Sequence, residues 1–264
     1  MSADILETIA AEARRRVAAA KAQKPLDALK AEALAMDTET GFPFERALRG
    51  TDIAFICECK KASPSKGLIA PDFPYLDIAR DYEAAGAAAI SVLTEPKWFL
   101  GSGKMLRDVA AAVTVPCLRK DFTVDEYMLY EAKTLGAAAV LLICSLLDEA
   151  TLRTYIAICD RLGLSALVEA HDEGELRSAV RAGARVIGVN NRNLRTFTVD
   201  VQSSIRLRSL APEGVLFVAE SGIRTPRDID ALRRANVSAV LIGEALMRAP
   251  DKAAMLRRLR GETV

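Results

Sequence analysis

Histidine is nearly absent: His171 is the single one in 264 residues. Zinc would therefore have little nitrogen to draw on, and the spacing of Cys57-Glu58-Cys59 is too tight for ordinary zinc ligation. Cysteine is scarce and odd in number, its five residues (Cys57, Cys59, Cys117, Cys144, Cys159) set mostly within apolar runs. That pattern predicts buried free thiols in a reducing compartment. Net charge is missing as well, since 36 Lys and Arg stand against 35 Asp and Glu. The balance carries no polyanion-binding signature, so any anionic ligand must be held locally. No apolar run approaches the roughly 18 residues of a membrane span, and the N-terminus lacks an apolar signal-peptide core. These absences lead us to expect a cytoplasmic protein with neither nucleic acid nor membrane as partner. No partner-sized acidic or basic stretch occurs, and a monomer with at most weak self-association is expected.

What is present is apolar periodicity, with 51% hydrophobic residues, ample for a sizeable core. Residues 1 to about 35 read as helix, with Ile5, Leu6, Ile9 and Ala13 at steps of three and four and a second piece starting at Pro25. From Asp37 to Gly50 the pattern dissolves, and residues 1–50 are expected to pack as a helical extension on a main body of residues 51–264. That body repeats one sentence: apolar run, loop, amphipathic helix, small-residue hinge. The runs are Ile53–Cys57, Ala88–Leu93, Val115–Leu118, Ala138–Ile143, Ser165–Val168, Arg185–Val189, Val215–Ala219 and Ser238–Ile242. Helical patterns lie around 75–85, 103–112, 124–135, 148–162, 173–182, 200–210, 226–235 and 245–259. Thr123 with Glu126, Asp172 with Glu175, and Thr225-Pro226 with Asp228 read as helix starts. Gly86, Gly136 and Gly183 read as stops. Apolar strands alternating with helices argue for a parallel sheet covered on its faces, an α/β fold closed as a (β/α)8 TIM barrel. An open dinucleotide-binding sheet would want a Gly-rich fingerprint after its first strand, and none is there.

In such a barrel the chemistry gathers at the C-terminal ends of the strands. The first strand ends in Glu58 and Lys60, which share a face with Ile56 by the period of two, and the third in Lys120. The fifth ends in Glu169, the sixth in Asn190, and the seventh in Glu220 followed by Ser221. Any one of these could be a solvated strand end or a structural ion pair; five strands delivering such groups to one rim is a different matter. Gly222 after the seventh strand and Gly243-Glu244 after the eighth suit a phosphate cradle, where backbone N–H groups must approach an anion. Ser63 could add a hydroxyl to it. Pro64, Phe99 and Phe122 would give the same rim apolar walls for a flat aromatic ligand, although an exposed loop cluster reads equally well. His171 begins a helix, where a lone imidazole is more often a terminal hydrogen bonder than a catalyst.

The run Cys57-Glu58-Cys59-Lys60-Lys61-Ala62-Ser63-Pro64-Ser65-Lys66-Gly67 resembles the first-strand signature of indole-3-glycerol phosphate synthase, a barrel enzyme of tryptophan biosynthesis. The likeness continues through Leu93-Thr94-Glu95, Leu118-Arg119-Lys120-Asp121-Phe122, Leu167-Val168-Glu169 and Ile187-Gly188-Val189-Asn190-Asn191-Arg192-Asn193-Leu194. It ends with Ala219-Glu220-Ser221-Gly222-Ile223 and Leu241-Ile242-Gly243-Glu244. Ala62 and Glu244 depart from forms that carry Lys and Ser there; a backbone N–H at Glu244 would serve phosphate equally.

The resemblance implies closure of 1-(2-carboxyphenylamino)-1-deoxyribulose 5-phosphate to indole-3-glycerol phosphate, with loss of carbon dioxide and water and with no metal or organic cofactor. It also implies Lys120 as general acid, Lys60 as holder of the substrate carboxylate, Glu169 as base and Glu58 as positioner or alternate base. Asn190, Glu220 and Ser221 would bind sugar hydroxyls and orient the lysines, with Arg192 on the same wall. Two other readings stay open at this stage: another phosphosugar barrel such as phosphoribosylanthranilate isomerase, and a barrel that binds a phosphorylated ligand without turning it over.

Overall fold

The computed structural model describes residues 5–193 and 198–262. Eight strands close a parallel barrel in chain order: β1 (Ala54–Cys59), β2 (Ala89–Leu93), β3 (Cys117–Lys120), β4 (Ala139–Ile143), β5 (Ser165–Ala170), β6 (Val186–Asn190), β7 (Leu216–Glu220) and β8 (Ala239–Ile242). Closure comes from β1 pairing with both β2 and β8, with Glu58 opposite Ser91 and Ile56 opposite Leu241. The eight expected runs are all strands, but several extend one or two residues further, so that Glu58, Lys120, Glu169, Asn190 and Glu220 belong to the sheet itself. Backbone hydrogen bonding therefore fixes where each of these side chains leaves the barrel.

Alternation along the strands separates two apolar layers. Ile56, Ala89, Leu118, Leu141, Leu167, Val218 and Leu241 point inward and fill the barrel. Phe55, Cys57, Cys59, Val92, Val140, Val168 and Phe217 point outward, beneath the surrounding helices. All five cysteines are free thiols, four of them buried.

Three helices precede the barrel: α1 (Ile5–Gln23), α2 (Leu26–Leu34) and α3 (Pro43–Leu48). The last corrects the expectation of an unpatterned stretch. With six residues α3 is too short to show a period, yet it buries Phe44 and Leu48 in the inner layer. Its Glu45 is buried too, accepting from Arg185 Nη2 at 2.8 Å and from Ser165 Oγ at 3.3 Å. Both partners lie at the beginnings of strands, so α3 stoppers the end of the barrel away from the rim residues.

Around the barrel run α4 (Tyr75–Ala84), α5 (Gly103–Ala112), α6 (Tyr127–Thr134), α7 (Glu149–Leu162), α8 (Glu173–Ala182), α9 (Gln202–Arg208), α10 (Pro226–Arg234), α11 (Glu244–Arg248) and α12 (Lys252–Arg260). Asp172 caps α8, and Thr225 with Asp228 forms a full capping box on α10, as expected. Gly86, Gly136 and Gly183 take the left-handed conformation after their helices. Two expectations need correction. Thr123 caps nothing: Asp125 accepts the Tyr127 N–H at 2.9 Å, and α6 starts after Glu126. The expected helix over 245–259 is two helices, because Pro250 cannot continue the first and Asp251 caps the second.

Candidate active site

At the C-terminal ends of the strands opens a cleft of about 1240 Å³, solvent at its mouth included. Its floor is acidic and basic together. Lys120, ending β3, places Nζ 3.5 Å from Glu169 Oε2 of β5 and 3.6 Å from Glu220 Oε2 of β7. Lys60 Nζ lies 2.5 Å from Glu58 Oε1 on the β1 side. Glu58, Glu169 and Glu220 are buried, and Lys120 is nearly so. Removing such charges from water costs several kcal/mol per ion, so an arrangement of this kind is poor value for stability alone.

The barrel makes room for this cluster at two glycines, one within β6 and one just after β8. A Cβ on Gly188 of β6 would collide with Glu220 Oε1, and one on Gly243 would collide with Glu58 Oε1 and crowd Lys60 Nζ. Neither glycine needs a left-handed backbone. Each is a missing side chain whose volume a carboxylate occupies.

Charge separates the two neighbouring carboxyls. Burial raises the proton affinity of Glu169, but Lys120, His171 and a hydrogen bond from Asn190 outweigh it and hold the group below the usual glutamate range. At Glu220 burial prevails over Lys120, reinforced by the charges of Glu169 and Glu58, and the carboxyl is pushed up to about 8. Glu220 Oε1 has no hydrogen-bond partner among the described residues. One proton near neutral pH thus sits on Glu220 and leaves Glu169 ionised. Burial also works against the Lys120 ammonium, yet the charges of Glu169 and Glu58, joined by Glu220 once it ionises, keep it charged well above the ordinary lysine range.

The cleft is also lined by Ser63, Pro64, Phe99, Phe122, Asn190, Arg192, Ser221, Gly222, Gly243 and Glu244, so the structure brings every residue singled out from the sequence to one cavity. Phe99 and Phe122 lie with ring centroids 5.9 Å apart, tilted by 43°. Gly243 sits at the N-terminus of the short helix α11, whereas Gly222 precedes the α10 cap at Thr225 by three residues and so belongs to a turn. Ser221 and Gly222 are consecutive left-handed residues, at φ 66° and 82°. For serine that conformation is strained, and buried Asn191 supports it by donating from Nδ2 to Ser221 O at 3.1 Å. Glu244 points its carboxylate at three cations: Arg248 Nε at 3.3 Å, Lys66 Nζ at 3.8 Å and Arg192 Nη2 at 3.9 Å. Leu194, in the stretch that follows Arg192, lies outside the described residues.

Several contributors were not legible in the sequence. Ile5, Leu6 and Ile9 of α1 line the cleft, far in sequence from every strand end. Glu95 is buried and accepts the backbone N–H groups of Lys97, Trp98 and Phe99 at 2.7–3.0 Å, which winds the loop after β2 and sets Phe99 in place. Asp121 takes Arg16 at 2.8 Å and Thr94 at 2.6 Å, so it ties α1 to the turn between Lys120 and Phe122. His171 stands beside Glu169.

Solved structures of low identity share the architecture. A 3-hexulose-6-phosphate synthase superposes with a TM-score of 0.65 at 17% identity, over 79% of this chain and 99% of that one. A thiamine phosphate pyrophosphorylase from Pyrococcus furiosus gives 0.58 at 15%, over 79% and 94%. At that distance the likeness speaks for the fold alone. Sequence comparison goes further. A family model described as indole-3-glycerol phosphate synthase matches residues 6–259. Proteins of that name from Ruminiclostridium cellulolyticum and Endomicrobium trichonymphae are 59% and 51% identical, each over 97% of this chain and 99% of its own length. With the family matched across nearly the whole barrel and its leading helices, the chain belongs to the indole-3-glycerol phosphate synthases.

Proposed function

We propose a division of labour among the rim residues in the reaction of this family, the decarboxylating and dehydrating ring closure of 1-(2-carboxyphenylamino)-1-deoxyribulose 5-phosphate to indole-3-glycerol phosphate. The enzyme is a carboxy-lyase of tryptophan biosynthesis acting on a phosphorylated small molecule. The observation that carries the proposal is the Lys120 ammonium held between Glu169 and Glu220, with Lys60 and Glu58 across the same cleft.

Lys120 is the general acid. As the aromatic carbon attacks the ribulose ketone, the carbonyl oxygen gains charge and Lys120 delivers its proton there. A lysine surrounded by three carboxylates is a weak acid. The proton on Glu220 removes one of those charges and makes Lys120 a better donor. Closure leaves the anilino nitrogen as an iminium, which accepts the electron pair released when the C–CO₂⁻ bond breaks. Lys60 holds that carboxylate beforehand and donates a proton as the hydroxyl departs as water. Glu169, kept ionised, takes the proton whose loss completes the indole. Glu58 orients Lys60. Asn190, Glu220 and Ser221 bind the sugar hydroxyls.

The phosphate goes to Ser63 and the N–H groups of Gly222, Gly243 and Glu244. Pro64, Phe99, Phe122 and Arg192 enclose the ring. Orientation contributes much of the acceleration, because the reacting carbons belong to one flexible molecule that the cleft must fold.

The same reading takes residues 1–50 as an extension on the barrel of residues 51–264, supported by the place of Ile5, Leu6 and Ile9 in the cleft. It takes the enzyme as cytoplasmic, in keeping with five unpaired thiols, and as a monomer with at most weak self-association; light scattering on the purified protein checks the second point. Incubation with the carboxyphenylamino sugar phosphate, following indole fluorescence and carbon dioxide together, tests the chemistry. Equal appearance of both is expected. Isomerisation without carbon dioxide, or binding without turnover, would refute it.

A further inference from the structure

We infer that His171, the lone imidazole of the chain, is a positioning residue for Glu169: held at Nδ1 by Glu175 and Ser145, it turns Nε2 toward Glu169 Oε1 and fixes the orientation and charge of that carboxylate. The inference rests on the reading of Glu169 as the base.

The geometry begins at the end of β5, where His171 follows Ala170 and Asp172 caps α8. Capping puts Glu175 in the first turn, from which its carboxylate reaches back. Glu175 Oε2 accepts the His171 backbone N–H at 2.8 Å and lies 3.1 Å from Nδ1. Its other oxygen accepts Ser145 Oγ–H at 2.6 Å, and that hydroxyl oxygen stands 3.4 Å from Nδ1. Nδ1 must therefore carry a proton, facing a carboxylate oxygen as it does. Nε2 is the atom left over. It is buried, has no hydrogen-bond partner among the described residues, and lies 3.5 Å from Glu169 Oε1.

Helix capping alone would be complete without Nε2 facing the active site. Glu169 thus has a basic group at each end, Lys120 at Oε2 and His171 at Oε1.

The surroundings favour the charged ring. Glu169 of β5, Glu175 and Asp172 at the start of α8, and Glu220 of β7 are the acidic groups around it. The Cys144 thiol after β4 is pushed up to about 12 by burial and stays neutral, and Lys120 stands beyond Glu169. Burial opposes the imidazolium, but the Glu175 hydrogen bond and the charges of Glu169 and Glu175 outweigh it, so the group is raised above its ordinary value. The sign follows. The contribution of His171 to stability is complete below about pH 6.5 and is lost as pH rises through the folded value. Over the same range Glu169 loses one of its two cations.

Because the chain has one histidine, its ring protons in an NMR titration need no assignment. The midpoint is expected above the ordinary 6.5, falling by about half a unit or more in both Glu169→Gln and Glu175→Gln. In His171→Asn, kcat should fall roughly tenfold with KM nearly unchanged, and the acid limb of the kcat–pH profile should move upward as Glu169 loses its stabiliser. A midpoint unmoved by Glu169→Gln, or a His171→Asn profile superimposable on that of the wild type, would overturn the inference. Full indole formation by Glu169→Gln would instead remove Glu169 as base, whatever the titration shows.

Discussion

Lys120 and Glu220 form a pair in which each makes the other useful. Charge on Glu220 would hold the lysine proton too tightly, and without Lys120 nothing would offset a carboxyl buried with a bare Oε1. Lys120→Ala is expected to lower kcat by roughly 10²–10⁴, the span of general acid catalysis, while inorganic phosphate still binds. Stopped-flow indole fluorescence and a phosphate titration check the two halves, and near-normal turnover would take Lys120 out of the mechanism. Gly188→Ala probes the same pair from behind. Its methyl group would collide with Glu220 Oε1 and displace the carboxyl group whose Oε2 lies 3.6 Å from Lys120 Nζ, so kcat should drop at least about tenfold with KM changed less. If kinetics stay normal, the carboxylate's place does not matter.

Helix α1 works as a wall of the cleft whose position is set from its middle to its last turn. Arg16 pairs with Asp121 at 2.8 Å and Lys21 with Asp125 at 2.7 Å, five residues apart on the helix, with both partners on the segment after β3. Those contacts bring Ile5, Leu6 and Ile9 over the opening. Burial would raise the Asp121 carboxyl, but Arg119 and Arg16 hold it below its ordinary value. Its contribution is accordingly present above about pH 3.9 and lost as pH falls through the folded value. Arg16→Ala leaves Asp121 with Arg119 and Thr94, so unfolding should come only roughly 4–8 °C earlier, about 2 kcal/mol. The larger effect is expected on KM, several-fold upward, because the apolar wall moves while Lys120 does not. A variant with lower thermal stability and unchanged KM would show that α1 serves folding alone.

Across the whole molecule, stability and chemistry compete at the rim. A glutamate pushed up to about 8 binds its proton more tightly folded than unfolded, so the native state loses ground as pH rises from about 4.3 toward 8. Glu220→Gln removes that penalty. Thermal denaturation should show the variant gaining on the wild type over that interval by a few degrees and holding the gain above it, while indole formation falls. An unchanged gap across pH would mean that Glu220 is ionised at no cost.

The order of strands, the eight-fold closure and the face on which Glu58, Lys60, Lys120, Glu169, Asn190 and Glu220 emerge were all legible in the chain. Each depends on a local period or on a strand end, and local spacing is what a sequence records. The family motifs then told which chemistry those ends serve. Other features needed the fold. Phe44 and Leu48 stopper the barrel from a helix too short to show a period, and Ile5 lines a cleft whose charged strand ends lie at least fifty positions away. Gly188 looks like a weak point in a strand until Glu220 is seen filling the space beside it. His171, which reads as a helix start, turns out to face Glu169. Which carboxyl keeps the proton depends on burial and on charges brought together from separate strands, and those distances exist only once the ring of strands has closed.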